Sequence, residues 1–297
     1  MPLVLDPGEG GAIDLDQLVE LLDAAPFDAR DEASLVAVAP LLARLGRNRR
    51  FLTDFAIAEL KARFSTQEES SAYGAQVLML RPANGRYVLR ANFWPARGDA
   101  VVRASGTASF FYDLPHDHNF SFLTHGYLGP GYWSDYYAFE GAEDALPGDP
   151  ANLRFEGRSR LEPDRLMLYR AHRDVHVQLP PDDFSVSLNI LFCNRAQQWR
   201  SQYRFDIASD TIAAALTTAP SEVLATLAVQ FGGGNGVDLV HHLLLTHPSA
   251  RMRCTALDAL ASLEQEPDER ASLFEQVVDD PAVARHARQR LDRIRNG

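Results

Sequence analysis

Between residue 12 and about residue 65, apolar residues recur at helical spacing. In IDLDQLVELLDAA, Ile13, Leu15, Leu18, Leu21 and Leu22 fall on one side of a helix. Asp14 and Asp16 stand at its start, where carboxylates complement the helix dipole. SLVAVAPLLARLG and RRFLTDFAIAELKARF predict two further helices, with Gly46 as the stop between them. STQEESSAYG then breaks the pattern. From Tyr73 to about Phe192 the texture is one of short aromatic or β-branched runs: AQVLML, RYVLRANFW, TASFFYD, FSFLTHGYL, YWSDYYAF, DRLMLY and FSVSLNILF. Asn84-Gly85, Gly129-Pro130-Gly131, Pro147-Gly148-Asp149 and Pro180-Pro181-Asp182-Asp183 mark turns between them. Many short strands joined by tight turns predict an antiparallel sandwich or barrel.

From about Ile212 the spacing becomes helical again. HPSARMRCTALDALASL and DPAVARHARQRLDRI each open at a proline, Pro248 and Pro281, 33 residues apart, and resemble HEAT-like helical repeats. FGGGNG at 231–236 reads as a loop. The expected class is therefore α+β: an N-terminal helical segment over 1–72, a β-barrel or sandwich over 73–205, and a HEAT-like helical region over 206–297.

At 297 residues the chain can bury a sizeable core. A formal charge of -11 argues against nucleic acid or an anionic membrane as the main partner. No 18-residue apolar run predicts a membrane span, and the start lacks the pattern of a secretory leader. Two distant cysteines, Cys193 and Cys254, suggest a reducing, cytoplasmic setting. No dinucleotide fingerprint, Walker loop, C-x-x-C pair or G-x-S-x-G elbow is present in the right context.

The candidate chemistry lies in FYDLPHDHNFSFLTHGYLGPGY. In an extended chain, residues i and i+2 share a face, so His116 and His118 point the same way and Asp117 the other. The same face continues as Phe120, Phe122 and Thr124, an apolar floor beyond the imidazoles. A second cluster supplies His172 and His176, then a strand that places Ser185, Ser187 and Asn189 on one face and Phe184, Val186, Leu188, Ile190 and Phe192 on the other. Neutral imidazoles bind iron, copper, nickel or zinc. His116, His118 and His176 are the candidate ligands, with His172 the rival for third place or a base at the rim. Asp174 is a candidate to orient one of these rings. Ser187 and Asn189 are candidate catalytic polar groups, and Arg170 and Arg173 candidate carboxylate binders. Tyr137, with Phe120 and Phe122, is a candidate substrate wall. His125 falls on the opposite face and reads as structural.

These segments resemble the cupins, and within them the three-histidine thiol dioxygenases such as cysteine dioxygenase. The likeness rests on His116-Asp117-His118, on His176 followed by SVSLNIL, and on NGRYVLRANFW upstream. It implies a mononuclear non-haem centre, Fe(II) or another first-row metal, acting with dioxygen on a small-molecule or peptide substrate of specialised metabolism. Several positions depart from that pattern. The final strand reads Ser187, Asn189 and Leu191, without the family's tyrosine; Leu123 stands where a cross-linking cysteine is expected, and Val77 where an arginine clamp would be. Free cysteine is correspondingly disfavoured as substrate. Two other readings remain: a non-enzymatic cupin binding or regulatory module with a protein-binding helical arm, and a metal-dependent isomerase or lyase. The sequence is silent on oligomeric state.

Overall fold

The computed structural model describes residues 1–63, 65, 74, 76–141, 145–194, 197–276 and 280–296. The expected boundary at 72–73 lies outside them. Contacts group the chain into two compact units: Met1–Gly141, Pro150–Gln197 and Arg204–Thr211 form the first, and Ala142–Asp149, Gln198–Tyr203 and Ile212–Gly297 the second.

In the first unit, strand β1 (Leu3–Leu5) precedes helices α1 (Leu15–Ala24), α2 (Glu32–Gly46) and α3 (Phe51–Lys61). A reciprocal capping box starts α1: the Gln17 amide donates to Asp14 Oδ1 at 2.8 Å, and the Asp14 amide to Gln17 Oε1 at 3.0 Å. Asp31 caps α2 by accepting from the Ala33 amide. The apolar stripes of these helices, including Leu18, Leu22, Leu35, Leu42 and Leu45, bury against one face of a six-stranded antiparallel sheet. Its order is β1-β7-β4-β9-β3-β2, with β2 Val77–Arg81, β3 Tyr87–Trp94, β4 Phe122–Leu128, β7 Leu166–Tyr169 and β9 Ser185–Phe192. A second sheet has the order β6-β5-β8, from β5 (Tyr132–Ala138), β6 (Arg154–Leu161) and β8 (Asp174–Gln178).

The strands of the larger sheet divide their residues by alternation. Leu89 and Ala91 of β3, Leu123 of β4 and Leu188 and Ile190 of β9 face the helices. The opposite face carries Val88, Trp94, Phe122 and Leu191, which pack with Tyr132, Tyr136, Leu161, Met167 and Tyr169 in a second core. β9 is buried along its whole length. Its serines and asparagine therefore face protein rather than open water.

The sheets do not close into the expected barrel. TASFFYD was expected as a strand but forms a 3-10 turn over Thr107–Phe110, after a short helix α4 (Ala100–Ser105). Phe111 and Asp113 then adopt positive φ, which strand pairing does not tolerate. Among the described residues, the backbone of the segment around them pairs with the smaller sheet through isolated bridges, Tyr112↔Gln178 and His116↔His176. The sequence pattern also missed β1, β6, β8 and the later strand at Tyr203–Asp206. β1 has three residues, and β6 (RFEGRSRL) is an edge strand whose exposed side carries charge instead of apolar alternation.

The helical stretch expected from Ile212 begins later, because Thr211–Ala215 is strand β11, paired with β10 (Tyr203–Asp206). Among the described residues five helices follow: α5 (Pro220–Phe231), α6 (Gly233–Thr246), α7 (Ala250–Ala261), α8 (Pro267–Glu275) and α9 (Pro281–Asn296). FGGGNG is not a loop but the junction and first turn of α6. A Cβ at Gly236 would overlap the Ala228 carbonyl oxygen, so glycine there permits close approach of α5 and α6.

Gly46 has a similar role. It is the last residue of α2, where the expected stop falls, and a Cβ on it would overlap the ring of His125, which is 1 % exposed on the helix-facing side of β4. Gly46→Ala should therefore destabilise by about 1–3 kcal/mol through overpacking, although glycine to alanine in a helix ordinarily stabilises by about 1 kcal/mol. Urea denaturation decides the sign. Burial holds the His125 pKa down at about 4, against a weaker upward pull from Asp164 at 4.0 Å; Arg49 and Arg47 lower it further. The unfolded chain binds this proton more readily, so the stabilisation is complete above pH ~6.5 and is lost as pH falls towards 4. His125→Gln should flatten that part of the stability–pH curve, removing a slope worth roughly 3 kcal/mol in total.

Candidate metal centre

His116, His118 and His176 form a cluster whose ligand atoms all lie within 4.8 Å of one another. The backbone makes the cluster. The His116 amide donates to the His176 carbonyl at 3.1 Å, and the His176 amide donates back at 3.0 Å. The His172 amide donates to the His118 carbonyl at 2.9 Å, so the H-x-H segment is pinned to β8 and to the turn before it. His176 also stands opposite Tyr136 in the β5–β8 ladder, which sets its face.

The imidazoles converge through their Nε2 atoms, 3.1 Å apart for His176 and His116 and 3.2 Å for His118 and His176. His116 Nδ1 lies 2.8 Å from the Leu114 carbonyl oxygen, so that nitrogen carries the proton and Nε2 presents a lone pair. His118 Nδ1 and His176 Nδ1 are buried with no partner. Burial pushes all three pKa values down, well down for His118 and His176, and the neighbouring imidazoles add to the effect there. Neutral rings that aim lone pairs at one point repel each other unless a proton or a cation lies between them. With metal–nitrogen bonds of about 2.1 Å, two cis ligands stand about 3.0 Å apart at a right angle and about 3.4 Å apart at the tetrahedral angle. The His176–His116 and His118–His176 separations both fall in that interval. The donor set therefore fits a divalent first-row metal, with no carboxylate in the cluster among the described residues.

The walls are aromatic. His118 contacts Phe120 and Phe122, with ring centroids 5.1 and 4.8 Å away, and Phe122 stacks on Tyr169 at 4.5 Å. Tyr169 lies 5.0 Å from His176, and its hydroxyl is 2.9 Å from that of Tyr136. Burial raises the pKa of both tyrosines, so both keep their protons. Ser187 Oγ accepts from Trp94 Nε1 at 2.9 Å. Asn189 pairs in register with Thr124 on one side and Arg90 on the other. Asn189 Nδ2, Thr124 Oγ1 and Asn92 Oδ1 are buried without partners on this same face, and Arg90 is close enough to depress the His118 pKa.

Other candidates are placed elsewhere. His172 does not join the cluster: at φ 58° it turns Nδ1 to Asp117, 3.2 Å away on the opposite side of the H-x-H segment. Asp174 orients no imidazole, because it grips Arg170 through bonds of 2.7 and 3.0 Å, which also occupies that guanidinium. Arg173 is exposed. Tyr137 points to the other face of β5, edge-on to Phe155 at 5.3 Å. Sequence reasoning missed Tyr169, Asn92 and Arg90, and read Tyr136 only as one of several aromatics on its strand. Alternation in RYVLRANFW does put Arg90 and Asn92 on one face with Trp94, whereas the tyrosine pair depends on a cross-strand register that no local pattern encodes.

No known family profile matches the chain, and no curated protein matches it. Among solved structures, the DMSP lyase DddQ from Ruegeria pomeroyi aligns over 66 % of this chain and 78 % of its own, at 15 % identity and a TM-score of 0.27. A prolyl 4-hydroxylase structure from Phytophthora capsici aligns over 95 % and 82 %, at 12 % identity and a TM-score of 0.26. Alignments this loose leave the chemistry to be argued from the residues themselves.

Because the Thr124 hydroxyl is buried and unpaired, Thr124→Val should leave stability unchanged or raise it by up to about 1 kcal/mol. A hydroxyl that served the fold would instead cost stability when removed, and urea denaturation separates the two.

Proposed function

We propose that this chain is a mononuclear metal-dependent enzyme of cupin type, with iron(II) as its metal and dioxygen as co-substrate, acting on a small organic or peptide molecule in specialised metabolism. What carries the reading is the convergence of three neutral Nε2 atoms, from two buried histidines and the half-buried His118, one fixed in tautomer by the Leu114 carbonyl. When bound, such a metal would supply a Lewis-acidic and redox-active centre that retains its full positive charge, since its protein ligands are all neutral. His116, His118 and His176 would hold it. Phe120, Phe122 and Tyr169 exclude water from one side of the cluster. Thr124 and Asn189 offer unpaired polar atoms with which to orient a substrate, and Arg90 adds a positive charge beside them. The helical arm, read as HEAT-like, would serve recognition of a larger molecule.

One observation favours a second reading, a lyase or isomerase that uses the metal as a Lewis acid alone. The bonded Tyr136 and Tyr169 hydroxyls hold protons beside His176 and could pass one to or from a substrate.

Elemental analysis of untagged protein should find about one first-row metal per chain, and His116→Ala or His176→Ala should weaken it more than the roughly 10–100-fold typical of losing an orienting partner. Nitric oxide EPR after anaerobic iron(II) loading should give a high-spin iron–nitrosyl signal. Stoichiometric zinc or nickel without oxygen consumption would favour the second reading. Protein that binds no metal, unaltered by His116→Ala, would leave a non-enzymatic binding module.

A further inference from the structure

We infer that the helical unit holds a second binding site, for a small anion with an apolar body, among α7, α8 and α9. A cavity of about 430 Å³ lies between the end of α7, the first turns of α8 and the last turns of α9. That is within the range of small-molecule pockets, roughly 300–1,000 Å³. Three arginines line it, Arg270, Arg290 and Arg293, together with the apolar Ala261, Phe274 and Ile294. The chain as a whole is strongly acidic, so this concentration of positive charge runs against its average.

The charges do not cancel locally. Asp258 is the one carboxylate among the lining residues. It accepts from His286 Nε2 at 2.8 Å and from Arg290 Nε at 2.9 Å. Burial pushes its pKa up, but these bonds outweigh that and hold it below the ordinary carboxylate value. Asp258 thus neutralises Arg290 and, among the described residues, leaves two cations uncompensated. Arg270 spends one nitrogen on the Glu264 carbonyl at 3.0 Å, while its Nε is buried with no partner. Arg293 is exposed and makes no ion pair among the described residues. Glu264, Glu266, Asp268 and Glu269 belong to the same stretch of chain, yet none lines the cavity.

A buried donor without an acceptor and a second unpaired guanidinium at one cavity ask for an oxyanion. Phe274, 4 % exposed, and Ile294 ask for something apolar attached to it. The two requirements together select an aryl or alkyl phosphate, sulfate or carboxylate over a bare inorganic ion. The site lies wholly within the helical unit and does not depend on the histidine cluster.

Calorimetric titration of the full-length protein with phenyl phosphate tests this, with inorganic phosphate and benzyl alcohol as comparisons. Phenyl phosphate should bind saturably, inorganic phosphate at least about tenfold more weakly, and benzyl alcohol not at all. Arg293→Glu, at an exposed and unpaired position, should weaken phenyl phosphate at least about tenfold without altering the thermal transition. Ser262→Trp at the rim should block it, and His116→Ala should leave it unchanged, which separates this site from the metal centre. The inference is overturned by absence of saturable phenyl phosphate binding, by inorganic phosphate binding as tightly, by undiminished binding in Arg293→Glu, or by loss of binding in His116→Ala.

Discussion

The paired backbone hydrogen bonds between His116 and His176 are the constraint on which the first unit's chemistry depends. The chain from Phe111 to Ser121 belongs to no regular ladder, and two of its residues have left-handed backbones. Left to itself, such a segment would sample many conformations, and two imidazoles on it would not hold a common direction. The bridge fixes His116 against His176 directly, and the His172 amide fixes the His118 carbonyl. Three side chains from two distant segments are thereby aimed at one point by main-chain bonds. That is a more rigid arrangement than contacts between side chains could give.

The polar side of the site depends in turn on the apolar side of the same strands. β9 places Leu188 and Ile190 against the helical layer and Ser187 and Asn189 on the opposite face, in register with Asn92 and Arg90. The N-terminal helices bury a long list of leucines on the first face. That burial stabilises the sheet enough to tolerate the cost on the second face, where Thr124, Asn189 and Asn92 are desolvated without partners. Register couples the two faces, since a slip of one residue would exchange the leucines for the polar groups. His125 shows how tightly the layers are matched: the ring fits only because α2 has glycine at 46.

Much of this was legible in the sequence because it is periodic. The three N-terminal helices, five of the six strands of the larger sheet and the shared face of His116 and His118 follow from spacing alone. What was lost has specific causes. TASFFYD has strand-like residues, but positive φ at Phe111 and Asp113 overrides that propensity. β6 was invisible because an edge strand need not alternate. His172 competed with His176 for the third place because sequence distance cannot say which of two nearby histidines follows the turn, and the positive φ of His172 sends it to the far side. The tyrosine pair and Arg170's union with Asp174 are contacts between side chains that no spacing rule locates.

The arrangement of charge around the cluster follows from the same alternation. In His116-Asp117-His118 the carboxylate is set on the opposite face from the two rings, where it meets His172 and is completely buried. In DVHV the carboxylate of Asp174 is two residues from His176, and it is drawn off by Arg170. Both acids nearest the ligands in sequence are therefore engaged away from the three nitrogens. The cluster presents only neutral donors, and the charge of Arg90 acts on His118. A dication held there would keep its charge, and so would favour a substrate that brings an anionic ligand atom of its own, with Arg90 reinforcing that preference.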